Sequence, residues 1–309
     1  MTTTGTAPSS TEPPSTLPPG SAHRWYAPIL LANLVAQVVI IVTGGLVRLT
    51  GSGLGCPTWP QCTPGSYVPV AQQAQGWHKY IEFGNRTLTG VLVVVAVAAV
   101  LAVLVWAPRR PLVAAALAVI GGVVVQIVLG GISVLAGLSP IIVSAHFLVS
   151  CAIVVAAAYL YVARDETDAA PRPLVPTLLG RVAAATAAVG GLVIVLGTVV
   201  TGSGPHSGDA AHPTRYGFDP RTVSWLHADA VMLFAGLAVA VWLGVRLVGA
   251  PERTRKAWTG VLHVVVLQGV VGYVQFYLGV PIALVALHML LAAVLVVVLT
   301  RAVLSLRER

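Results

Sequence analysis

Long apolar runs, broken by short polar clusters, organise the chain. Eight runs can be traced, at 27–49, 84–106, 112–135, 141–163, 179–201, 222–247, 258–280 and 281–303. Each approaches the ~20 residues a helix needs to cross the hydrocarbon core of a bilayer. Connections such as "PRRP" at 108–111 and "APERTRK" at 250–256 are short. Consecutive spans are therefore expected as antiparallel neighbours. The predicted fold is an all-α membrane protein of eight transmembrane helices.

The polar positions between and inside the runs repeat. "TGSG" occurs at 50–53 and again at 201–204, each time closing an odd-numbered span. Gln126 and Gln268 stand 142 positions apart (268 − 126), as do Gly130 and Gly272, Gly137 and Gly279, His146 and His288, and Asn85 and His227. Four helices between copies preserve orientation, so the repeat is parallel, about an axis along the membrane normal. The expected organisation is two tandem four-helix bundles, 25–163 and 179–303, joined by a linker at 164–178 and flanked by tails at 1–24 and 304–309. Functional positions should then come in pairs.

Composition sharpens this. Only 9% of the 309 residues are charged and the mean hydropathy is +0.88, which excludes a soluble globule. The net charge of +8 does not point to nucleic acid, because the cations sit between spans rather than along one face. Placing the N-terminus inside leaves Arg48, Lys79, Arg86, Arg215 and Arg221 outside and the other thirteen of 18 Lys and Arg inside. Both termini are thus expected in the cytoplasm of a multi-pass cell-membrane protein. The first 22 residues, rich in Pro, Ser and Thr, read as disordered and lack the pattern of a cleaved signal. Cys56 and Cys62 share the outer loop "CPTWPQC", facing an oxidising compartment, and a disulfide is expected there. Cys151 reads as a small residue inside a span.

The histidines carry the candidate chemistry. His227 lies about six residues into the sixth span and His288 about seven into the eighth. At ~1.5 Å per residue both sit roughly 9–10 Å below the outer end of their helices. Two imidazoles at one depth can clasp a planar cofactor from both faces, and haem iron is the natural occupant. His146 repeats His288 in the first half. The mate of His227, however, is Asn85, and an amide is a poor iron ligand. The first half reads as a haem site with one firm ligand and an open coordination position. His78 lies on the same helical face as Glu82 and Asn85, two turns further out, as a substitute ligand or an edge contact. Glu82 admits three readings: a fixed carboxylate for developing positive charge, a proton-handling group, or an ion-pair partner of Arg86. Arg48 and Arg86 lie where haem propionates could emerge.

The stretches "TGGLVRLTGSGLGCPTWPQC", "IEFGNR", "SAHFLVS", "TGSGPHSGD", "WLHADA" and "ALHMLLA" together resemble the bacterial haem A synthases, over about 27–303. The resemblance implies haem b between His227 and His288, and a first-half site that takes haem O and oxidises its C8 methyl group to a formyl. It also implies a functional link to the farnesylating haem O synthase. The family pattern in the first half is Glu-x-x-His-Arg with a histidine two spans later. Glu82, Arg86 and His146 match it, and Asn85 departs from it. Two rivals share some of these features. A di-haem electron-transfer cytochrome b has paired histidines but no reason for Glu82. A transporter can have a parallel repeat but usually has spans broken near the midplane. The electron donor is not legible, and a homo-oligomer is compatible with the sequence.

Overall fold

Proline punctuates the bundle. The computed structural model describes residues 23–209 and 212–309, so the expected N-terminal tail lies, up to residue 22, outside the described residues. Eight helices follow one another: α1 (Tyr26–Leu49), α2 (His78–Trp106), α3 (Arg110–Leu135), α4 (Pro140–Val162), α5 (Thr177–Ser203), α6 (Pro220–Leu247), α7 (Glu252–Tyr277) and α8 (Ile282–Leu304). The last six begin at or beside Pro111, Pro140, Pro176, Pro220, Pro251 and Pro281, where a fixed φ and a missing N–H carry no cost. Asp219 also caps α6. The Thr222 hydroxyl and amide both donate to its carboxylate, which holds Asp219 below the usual carboxylate range. All eight helices are long and apolar enough to cross a membrane.

Two boundaries differ from the sequence reading. α2 begins at His78 rather than 84, and α7 at Glu252 rather than 258. Both extra turns are polar, so a hydropathy pattern does not see them. Their side chains bind neighbouring loops and the ends of other helices instead of lipid.

α1 to α4 pack in a ring, as do α5 to α8, and α1, α4, α5 and α8 meet between the rings. One apolar core is built by α1–α4 with Ala293 and Val296 of α8, and a second by α5–α8 with their flanking loops. Among lipid tails there is no hydrophobic drive to pair helices, so close backbone approach has to do it. Many buried positions are accordingly small: Ala96, Ala99, Ala102, Ala116, Ala157, Ala158, Ala183 and Ala238 are 3% exposed or less, beside a few large side chains such as Tyr26, Phe234 and Trp258. Large residues such as Val94, Leu101 and Leu135 face outward. Two short strands, β1 (Arg172–Pro173) and β2 (Arg307–Glu308), pair antiparallel and tie the linker to the C-terminal end.

The repeat reaches into the turns. α3 and α7 end identically: Leu138 N donates to Ser133 O (2.8 Å) and Val280 N to Gln275 O (2.7 Å). Gly137 and Gly279 take positive φ, and so do Leu138 (58°) and Val280 (55°) after them. A β-branched residue rarely adopts that conformation. The loop between α5 and α6 holds both turns: Thr214 Oγ1 donates to Leu138 O, and His206 Nε2 bonds Val280 O at 3.0 Å.

Candidate haem sites and their outer cover

Each candidate ligand lies on an even-numbered helix and rests against a glycine of the helix before it. A Cβ built on Gly197 would lie 3.4 Å from His227 Cε1, and one on Gly272 would lie 3.2 Å from His288 Cε1. In the first half the Gly130 position lies 3.4 Å from His146 Cε1, and Gly44 lies 3.9 Å from Asn85 Nδ2. A Cβ would be tight only at Gly272; at the other three it would make ordinary contact, and any larger side chain would have to grow past the ring or amide. Only Gly130 and Gly272 show in the sequence as repeat markers. Gly44 and Gly197 do not share the 142 spacing, and sequence reasoning missed them.

The polar atoms then divide the halves. Nδ1 of His146, His227 and His288 is buried without a hydrogen-bond partner. An unpaired polar atom in an apolar bundle is costly, by about 1–3 kcal/mol. Asn85 is different: Thr43 Oγ1 lies 2.9 Å from its Oδ1 and donates to it. Thr43 is a third residue the sequence reading passed over, and "TGG" at 43–45 was its only signal.

Over the first half lies a cover that α2 itself grips. His78, Glu82, Asn85 and Arg86 recur at helical spacing, so one face presents them all. Glu82, 5% exposed, accepts from Cys56 N at 2.7 Å and pairs with Arg86 Nη2 at 2.6 Å. Arg86 spends its other donors on carbonyls of the same loop: Cys56 O (2.8 Å), Thr58 O (3.1 Å) and Gln61 O (3.2 Å). The Cys56–Cys62 disulfide closes that loop. Trp59 from the loop packs on Gly131, beside the glycine that seats His146. Lys79 is buried too, and donates to Val70 O and Ala71 O. The Glu82–Arg86 ion pair weighed from the sequence is therefore present.

His78 is placed away from the ring of candidate ligands. Its Nδ1 bonds Ser52 Oγ at 2.9 Å, and its ring stacks on Trp77. Arg48 crosses between the halves, donating to His206 O and Thr201 O, each at 2.6 Å. Both guanidinium groups read as propionate partners thus bind backbone carbonyls.

Stretches of the chain are similar to known proteins. A protein named Heme A synthase from Geobacillus kaustophilus is 30% identical over 154 residues, 49% of this chain and 47% of its own length. One of that name from Halalkalibacterium halodurans is 32% identical over 144 residues, 45% of this chain and 46% of its own. A protein named Protoheme IX farnesyltransferase from Thermus thermophilus is 39% identical over 77 residues, 25% of this chain and 11% of its own. In each case the chain spans about half of the relative's length or less. The model of one family covers nearly the whole bundle, residues 27–300, and on that match the chain belongs to the COX15-CtaA family, cytochrome oxidase assembly protein.

Proposed function

We propose that the protein is a haem A synthase: it binds haem O in the first half and oxidises the C8 methyl group to a formyl, by two hydroxylations, each adding an oxygen atom and passing two electrons to an external oxidant such as dioxygen, and then loss of water. The observation that carries the proposal is the set of half-buried imidazoles seated on glycines, each with a buried Nδ1, paired in the second half and single in the first. Among the described residues no three His, Cys, Asp or Glu converge as they would around a bare metal ion. Two imidazoles suffice when the metal arrives inside a macrocycle that supplies four nitrogens of its own. His227 and His288, each set against a glycine of the preceding helix and with Nδ1 rather than Nε2 as the buried unpartnered atom, fit such a group through Nε2. The occupant proposed there is haem b, which supplies one-electron transfer when bound.

The chain's own residues divide the remaining work. His146 holds the substrate iron from one side. Asn85, already engaged by Thr43, shapes the opposite wall and leaves that side open. Glu82 places a fixed negative charge at the outer mouth of α2, and Arg86 balances it. That engagement favours a carboxylate that positions and stabilises over one that carries protons freely. The disulfide loop keeps water from the first-half site. The farnesylating haem O synthase is the proposed supplier of substrate, and the Thermus stretch similar to this chain, within a protein named for that step, supports the link. The excess of cations on one side supports both ends facing the cytoplasm.

The test is to purify the protein from cells with and without the farnesylating enzyme, then extract and identify its porphyrins. Haem A or its hydroxylated precursor is expected only with that enzyme present. A preparation that yields only haem b in both cases would identify an electron-transfer cytochrome.

A further inference from the structure

Two half-buried glutamines have so far served only to mark the repeat. Gln126 on α3 donates from Nε2 to His146 O at 2.9 Å, and Gln268 on α7 donates to His288 O at 3.1 Å. A backbone carbonyl can only accept, so this bond fixes which end of each amide is nitrogen. The other end is an oxygen, and in both halves that Oε1 is buried with no partner. His146 Nδ1 and His288 Nδ1 are buried with no partner as well. An acceptor lacking a donor and a donor lacking an acceptor therefore stand on adjoining helices, at the same place in both halves.

The glycine seats give the direction. The Gly272 position lies 3.2 Å from Cε1 and 3.7 Å from Nδ1 of His288. Gly272 is one turn beyond Gln268 on the same face of α7. The ring edge that carries Nδ1 thus faces the glutamine's helix. Gly130 stands one turn beyond Gln126 in the same way. His227 has no such glutamine: one turn before its glycine, Gly197, stands Val193, which turns a backbone carbonyl rather than an amide side chain toward the ring.

We propose that Gln126 and Gln268 are positioning residues for the two helix-end histidines. In the haem-loaded protein each Oε1 accepts the Nδ1–H of its histidine, directly or through one water, while Nε2 keeps the same residue's carbonyl. One amide then holds a histidine by backbone and ring together. It fixes the proton on Nδ1, leaves Nε2 for iron, stops the ring turning and makes the imidazole a stronger electron donor.

This inference rests on the haem ligation proposed above, and the experiment separates the two. The purified, haem-loaded protein is compared with Gln268→Met, which keeps volume and loses both hydrogen bonds, and with Gln268→Asn, whose shorter amide cannot reach both partners. The low-spin spectrum should persist in each, while the reduction potential of the second-half haem shifts upward, because a weaker imidazole donor favours ferrous iron. Gln126→Met should leave that potential unchanged and weaken retention of haem O by about ten-fold. A glutamine that merely ties two helices would lower haem content without moving the potential of the haem that remains. An unmoved potential in either Gln268 variant overturns the inference and leaves the ligation standing. An unchanged spectrum in His288→Ala overturns both.

Discussion

The two halves share a scaffold and differ in what they finish. In the second half, α6 and α8 each present a histidine on a glycine seat, with Nδ1 unpartnered. In the first, α4 presents His146 in the same way, but α2 presents an asparagine already taken by Thr43. The positions matching Glu82 and Arg86 are Ser224 and Ala228, so the ion pair and its grip on a disulfide loop belong to the first half alone. A symmetric pair of ligands suits a group that stays. An asymmetric site with a charged, covalently closed cover suits a group that enters, reacts and leaves. On the proposed function, the repeated frame is shared and a few differences at one end would give each half its task.

The largest effects should come from removing the histidines, and they should fall on one half at a time. His227→Ala or His288→Ala should abolish the low-spin signal of the retained haem. Product formation should drop by more than the 10–100-fold that loss of an outer partner of a metal ligand costs. His146→Ala should instead leave that signal intact and abolish haem O retention. Absorption spectra of the three purified variants check this. A retained signal in both second-half variants would make those residues ordinary core histidines.

Next in size is Glu82→Ala. The second-half haem should stay, while haem O or a singly hydroxylated form accumulates in extracted porphyrins. Removing one member of a mostly buried ion pair should also lower stability by about 3 kcal/mol. Arg86→Ala separates the roles. If it reproduces both the instability and the loss of product, Glu82 acts only by holding the loop. If it reproduces the instability alone, the carboxylate has its own task at the substrate.

Much of this frame could be read from the chain, for identifiable reasons. Span number and order follow from hydropathy, and the pairing of His146 with His288 follows from a fixed spacing. Gln126 and Gln268 were visible as markers, but their bonds to histidine carbonyls were not, since those depend on how α3 meets α4 and α7 meets α8. The first turns of α2 and α7 looked like loop because their polar side chains serve neighbours that lie elsewhere in the sequence. Gly44, Gly197 and Thr43 were hidden for the same reason: their value lies in a close approach between helices. Arg48 shows the limit most clearly. Its residue type suggested an anionic ligand, whereas its partners are carbonyls more than 150 positions away.

A smaller effect is expected from opening the disulfide. Cys56→Ser with Cys62→Ser should cost about 2 kcal/mol, given the short loop the bridge closes. Glu82 and Arg86 still grip the loop through Cys56 N, Cys56 O, Thr58 O and Gln61 O, so the cover should loosen rather than leave. Proteolysis confined to 50–76 and slower product formation, with an unaltered second-half spectrum, are the expected readouts. Equal damage to both halves would mean that the loop stabilises the whole bundle.

The smallest effect should fall on Asn85, where the halves differ most in sequence. Its Oδ1 accepts from Thr43, and its Nδ2 lies against Gly44, so the amide is bound to its own wall. Asn85→Ala removes one partly buried hydrogen bond, worth about 1 kcal/mol, or roughly five-fold in haem O retention. His78→Ala should matter no more to the substrate spectrum, because His78 is committed to Ser52 and Trp77. The sharper variant is Asn85→His. It would give the first half the ligand pair of the second, and haem O bound there should acquire a low-spin, two-imidazole signal absent from the parent protein. Titration of haem O into the three variants measures both affinity and spin state. If Asn85→Ala proves as damaging as His146→Ala, the asparagine acts at the iron itself. The two halves would then differ in the kind of second ligand rather than in having one.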